Sequence, residues 1–244
     1  MTCYHQPFFD LQCDLAVRVS ALSAIPLSLA VLNYTNFYVR FGLGRSFDPV
    51  HPVWQEYLAG LKRSNDPRGW THAFYRTRLP DAGTEPVVVS VGCFSYACLC
   101  GNRIRLHFAG GRDIGQPPLA THRQGHRLAE LRGLFEQVRL REPSPPLVIG
   151  GSWLYNLLAY RRLFPASYLE TATAVAGKFQ SMAIWGQFMD RHGVLRPGPV
   201  NLLKSRLASL SSLEGFAHCF PHRVLALEAS AVSFYDFYRC DSAA

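Results

Sequence analysis

The stretch from residue 121 to residue 165 constrains the fold more than any other part of the chain. Leu128, Leu131, Leu134, Phe135 and Val138 recur at helical spacing and form one apolar stripe. Thr121 with Gln124 has the spacing of a capping box at the start of this helix, and Pro143, Pro145 and Pro146 force it to stop. Leu147 to Ile149 then runs apolar and ends at Gly150-Gly151, as a short buried strand does, before Trp153 to Phe164 resumes helical character up to Pro165. Upstream, Val87 to Ala97 is rich in β-branched and aromatic residues, Gly101-Asn102 supplies turn chemistry, and Arg103 to Phe108 alternates. That predicts a hairpin with Ile104, Leu106 and Phe108 on the core face and Arg103, Arg105 and His107 on the other. The expected fold class is α+β: a mixed, largely antiparallel central sheet flanked by helices.

The remaining pattern adds strands and helices on either side. Phe37, Val39 and Phe41 are spaced at two and predict a strand, Asp48-Pro49 and His51-Pro52 start a helix through Val53 to Leu61, and Trp70 to Arg76 reads as another strand. In the tail, Tyr168 to Ala176 and Asn201 to Leu213 have helical spacing, while Met182 to Met189 and Val232 to Tyr238 read as strands. With 244 residues, 48% of them hydrophobic and 17% charged, the chain can bury a large core, which excludes both a miniature scaffold and wholesale disorder. One compact domain over 1–244 is expected, with a candidate subdomain boundary in the polar, breaker-rich stretch 79–86.

The formal net charge is +8, and of the 25 basic residues only Lys62, Lys178 and Lys204 are lysine. Arginine offers a planar fork of donors suited to phosphate and carboxylate, so an anionic small molecule or cofactor, or a nucleic acid, is a reasonable partner; scattered arginines equally fit a codon bias. Seven cysteines at irregular spacing fit a reducing compartment. The best candidate for a spanning or targeting segment, Val19 to Leu32, contains Pro26 and is too short to cross a bilayer, which predicts no membrane span and a cytoplasmic location.

The segment Thr121 to Arg127 reads Thr-His-Arg-Gln-Gly-His-Arg. A helix start with unpaired amides, a glycine that lets a phosphate approach, and the forks of Arg123 and Arg127 make a recipe for an anion site; the plain alternative is a capped surface helix with solvated basic residues. A hairpin, a helix opened by basic residues and glycine, a buried strand, then Asn156, Ala159 and Tyr160 leading another helix resembles the core order of GNAT-type N-acyltransferases over about residues 87–165. The resemblance implies an acyl-CoA cofactor, with Arg123, Gln124, Gly125 and Arg127 binding pyrophosphate, Asn156 contacting the pantetheine arm and Tyr160 acting as the catalytic acid that protonates sulfur. The chain departs from the family pattern where His122 occupies its Gln/Arg position and Arg127 its second small position, and its tyrosine comes early.

Gly-Ser-Trp-Leu-Tyr-Asn at 151–156, Ala-Tyr-Arg-Arg-Leu-Phe-Pro at 159–165 and Trp-Gly-Gln-Phe at 185–188 also resemble segments of a group of bacterial proteins to which no activity is attached. No metal site is expected. Cys93, Cys98 and Cys100 lack a Cys-x-x-Cys pair, and the adjacent His218 and Cys219 on a strand would point to opposite faces. A serine nucleophile is unsupported, because Leu154 stands where Gly-x-Ser-x-Gly needs its last glycine. Three readings stay open: an acyl-CoA-dependent N-acyltransferase, a non-catalytic binding protein whose arginine surface meets nucleic acid or another polyanion, and a structural or assembly subunit.

Overall fold

The computed structural model describes residues 4–78, 87–109, 117–175, 177 and 179–240. Five helices come first: α1 (Gln6–Ser23), α2 (Leu27–Tyr34), α3 (Phe37–Arg40), α4 (Pro52–Arg63) and α5 (Pro67–Thr77). Then follow β1 (Val87–Val91), β2 (Phe94–Leu99), β3 (Arg103–Phe108), α6 (Gln124–Arg141), β4 (Leu147–Ser152), α7 (Leu158–Arg161), α8 (Ala166–Leu169) and β5 (Thr173–Ala174). The chain finishes with α9 (Met182–Trp185), α10 (Pro197–Ala208), β6 (Leu225–Ser230) and α11 (Ala231–Tyr238). These elements divide into two compact units, Met1–Gly83 with Ala176–Arg223 and Thr84–Val175 with Val224–Ala244.

The first unit is helical throughout its described residues. The strands expected at Phe37–Phe41 and Trp70–Arg76 are instead α3 and α5. In each case the apolar residues fit a helical face as well as an alternating one: Thr71, Phe74 and Tyr75 are the buried positions of α5, at spacings of three and four. Asp66 accepts from the Gly69 amide and Pro67 takes the first turn, so the start of α5 is set by its own residues. The expected start of α4 is also present, with His51 Nδ1 accepting from the Val53 amide at 3.2 Å. Met182 to Met189, read as a strand, forms α9 and a 3-10 turn. Edge-on and stacked rings fill the interior, with Trp54, Tyr57, Phe37 and Phe9 fully buried.

The second unit is the α+β body. Its sheet has the order β1-β2-β3-β4-β6-β5; β3 and β4 are parallel, and every other pair is antiparallel. The Val87 to Ala97 stretch is two strands rather than one, because Gly92 turns at φ +54°, where a side chain is strained. Ile104 and Leu106 are buried, and Arg103, Arg105 and His107 alternate with them on the other face. Leu131, Leu134, Phe135 and Val138 of α6 pack in the same core as Tyr96, Val148 and Leu227, and Phe135 stacks on Phe234 of α11 at 4.5 Å. The tail of this unit differs from expectation twice: the helix read over Tyr168 to Ala176 ends with α8 and gives way to β5, and Val232 to Tyr238 lies within α11, the strand being the preceding Leu-Ala-Leu-Glu-Ala-Ser. Ser230 starts α11 by accepting from the Val232 amide, and Phe234, Tyr235 and Tyr238 form its buried face.

Candidate functional site

The residues between β3 and α7 lie together in the sheet-bearing unit, and α6 is the crossover that makes β3 and β4 parallel. Its entry is a 3-10 turn over Thr121–Arg123. The capping box does not form, since neither the turn nor α6 carries a side-chain cap. Two amides counted on for an anion are spent inside the turn: Arg123 donates to the Ala120 carbonyl at 3.0 Å and Gln124 to that of Thr121. Thr121 Oγ1 instead accepts from Arg162 Nη2 at 3.4 Å, which brings the end of α7 to the start of α6. Arg162 Nε is buried with no hydrogen-bond partner among the described residues.

Arg123 and Gln124 are half-buried, while Gly125 is exposed with open space where a side chain would stand. Arg127 faces inward. It is 1% exposed, and its Nη1 lies 2.6 Å from Glu130 Oε2. Glu130 also accepts from the Cys93 amide at 3.2 Å, and His126 Nε2 lies 3.2 Å from its other oxygen. A Cβ at Gly92 would fall 1.9 Å from that carboxylate, so the glycine allows both the turn and the close approach of Glu130. Arg127 therefore ties the first turns of α6 to the β1–β2 turn and sits apart from the half-exposed Arg123.

Between the parallel strands the ladder is short. Arg103, Ile104 and Arg105 pair with Leu147, Val148 and Ile149, and beyond this ladder β3 continues to Phe108 and β4 to Ser152. Past this point β4 presents two glycines with opposite surroundings. Gly151 is exposed with nothing near its absent side chain, whereas a Cβ at Gly150 would lie 2.1 Å from the Tyr168 hydroxyl and 2.3 Å from that of Tyr155. Those hydroxyls are buried and 2.9 Å apart.

Tyr160 joins this group from α7. It is 3% exposed, with its ring 5.1 Å from Tyr155 and 5.5 Å from Phe108 at the end of β3. Burial, reinforced by the neighbouring Tyr155, pushes its phenol well above the usual value, so it keeps its proton at neutral pH. Asn156 is exposed at the end of the 3-10 turn after β4, where its Nδ2 donates to the Trp153 carbonyl at 2.7 Å. The structure thus brings Arg162 to the α6 entry and Tyr160 beside Phe108 at the end of β3, and it places Arg127 in a buried ion pair.

Sequence reasoning passed over Arg162 and Glu130. Arg162 stands in the 159–165 segment without an anion-binding signature, but Glu130 follows Arg127 and His126 by three and four residues, the spacing at which helical side chains meet. Among the described residues no cluster of three His, Cys, Asp or Glu is placed to hold a metal, and no helix is long and apolar enough to cross a membrane. Cys13, Cys93, Cys219 and Cys240 are buried, while Cys98 and Cys100 are exposed on the hairpin. No family model, curated protein or solved structure matches the chain.

Proposed function

We propose that the chain is an acyl-CoA-dependent N-acyltransferase, with the thioester arm entering where β3 and β4 part. The observation that carries this reading is the seam itself. A parallel pair joined by a crossover helix pairs over three residues, and the chain leaving the far end of β3 leads into a helix start that carries Arg123 and is met by Arg162. A narrow opening between strands leaves backbone groups of both edges for an extended amide-bearing arm, and a helix start with guanidinium forks suits a pyrophosphate.

In this reading Arg123, Gln124 and the open face of Gly125 hold the pyrophosphate together with Arg162. Arg127 contributes through Glu130, by fixing the first turns of α6 against the β1–β2 turn. Asn156 would border the arm, and Tyr160, which like any phenol carries its proton at neutral pH, would give that proton to the departing sulfur and be restored by the proton that the amine loses on acylation. Acyl-CoA supplies an activated thioester and a thiolate leaving group; the acceptor is an amine.

Isothermal titration with coenzyme A and acetyl-CoA tests the proposal. Binding is expected in the millimolar range or tighter, weakened about tenfold by Arg123→Ala or Arg162→Ala, since a hydrogen bond to a charged group contributes about 1.5–3 kcal/mol. Tyr160→Phe should leave that affinity intact and lower thiol release from acetyl-CoA in the presence of a panel of primary amines. Absence of heat from both ligands at millimolar concentration would sink the assignment.

A further inference from the structure

The helical unit holds a cavity of about 530 Å³ at the end of α10, well away in sequence from the residues just discussed. Its polar lining is Arg206, Ser209, His218 and Arg223, and no carboxylate lines it among the described residues. The volume lies in the range of small-molecule sites. Its far wall is the 3-10 turn Phe216–Cys219, opened by Gly215 at φ +75°.

That wall is rigidly backed. Phe216 and Phe220 pack on Phe179 at 5.0 and 5.4 Å. Arg206 Nη1 donates to the carbonyls of His218 and Phe220 at 2.9 and 3.3 Å, so one guanidinium both braces the wall and lines the cavity. Arg223 Nη2 meets His218 Nε2 at 2.5 Å on the exposed side. The carbonyls at the end of α10 would oppose an anion, but Arg18 donates to those of Leu207 and Leu210 and offsets them. The result is an open cleft lined by two guanidiniums and an imidazole, in which the Ser209 hydroxyl is spent on the Arg206 carbonyl at 3.0 Å and the His218 Nε2 faces Arg223.

We infer that this cleft is a binding site for a small organic oxyanion, held by Arg206 and Arg223 beside His218. Two forked donors suit a phosphate or a carboxylate group, and the cleft leaves room for the organic body behind it. The inference does not depend on the acyltransferase reading, because none of its residues belongs to that site.

Hydrogen–deuterium exchange on the full chain tests it with location. Millimolar pyrophosphate or citrate should slow amide exchange in peptides spanning 206–223. A response to pyrophosphate alone assigns a phosphate ester, and a response to citrate alone assigns a polycarboxylate. Arg223→Gln should weaken the protection about tenfold, while Arg223→Lys, which keeps charge but loses the fork, should retain part of it. Unchanged exchange in this segment with both probes overturns the inference. So does an Arg223→Gln protein that responds as the parent does. Protection confined to 117–130 would report on the α6 entry and leave this cleft without its ligand, which also counts against it.

Discussion

Substituting Gly150 by alanine puts the packing at the open end of β4 to a direct test. The added Cβ would lie 2.1 Å from the Tyr168 hydroxyl oxygen and 2.3 Å from that of Tyr155, so both rings must retreat by roughly an ångström within a closed aromatic core. Overpacking of this kind costs about 1–3 kcal/mol, and separating two buried hydroxyls now 2.9 Å apart adds about 0.5–1.5 kcal/mol. Stiffening of the unfolded chain returns about 0.4–1 kcal/mol. The net loss is about 0.5–4 kcal/mol, centred near 2, and the central value lowers the melting temperature by about 4–8 °C for a chain of this size. Gly151→Ala is the internal control: it is exposed with open space beside it, so it should shift stability by less than about 0.5 kcal/mol. Tyr168→Phe removes the nearest clashing atom and should be less damaging in the Gly150→Ala background than in the parent, with a coupling of about 1 kcal/mol. Thermal denaturation followed by near-UV circular dichroism reads all four proteins. Equal midpoints for the two alanine variants, or strict additivity of the Tyr168 change, would refute the placement of these hydroxyls.

Three further outcomes are expected. Arg127→Met should lower the urea midpoint by the equivalent of about 3–5 kcal/mol, because it strands a buried carboxylate, and Arg127→Met with Glu130→Gln should recover more than half of that. His72 and His222 are held below the usual imidazole value, first by burial and then by the nearby Arg76 and Arg196 respectively. Their folded forms bind protons less readily than the unfolded chain, so stability is fully present above about pH 6.5 and declines as pH falls below it. The slope of denaturation midpoint between pH 7 and pH 5 should flatten in His72→Gln, His222→Gln. Iodoacetamide at pH 8 should alkylate the exposed Cys100 first among the described thiols, ahead of Cys98, which burial and the Glu142 carboxylate push up, and ahead of Cys13, which burial pushes up to about 12; peptide mapping that finds Cys13 modified first contradicts this.

The sheet-bearing unit was more legible than the helical one, and the reason lies in which residues punctuate it. Gly101-Asn102 fixes the β2–β3 turn, with both residues at positive φ, and the prolines after Glu142 separate α6 from β4. Around Phe37 and Trp70 the chain offers aromatic residues whose spacing satisfies either period, and only the packing of rings against rings decides for the helix. Strand β6 went unseen for the opposite reason: Leu-Ala-Leu-Glu-Ala-Ser is weak in β-branched residues, and it is a strand because β4 and β5 hold its two edges.

The candidate site divides in the same way. Positions along the chain were readable, because a helix start and a strand end follow from local pattern, but the direction of each charged side chain was not. Arg123 and Arg127 are four residues apart on one helix, and sequence treats them alike. The second becomes an internal strut because Glu130 lies one turn on and because Gly92, distant in sequence, leaves room for that carboxylate beside the Cys93 amide. Arg162, by contrast, enters the site from a helix whose local sequence carries no anion signature, through a single hydroxyl on the opposite segment. Charge assigned from sequence is therefore a count of guanidiniums available to a region. Which of them a ligand could meet is fixed by where buried carboxylates intercept the others, so the Arg127–Glu130 pair decides the composition of the proposed anion site as much as Arg123 does.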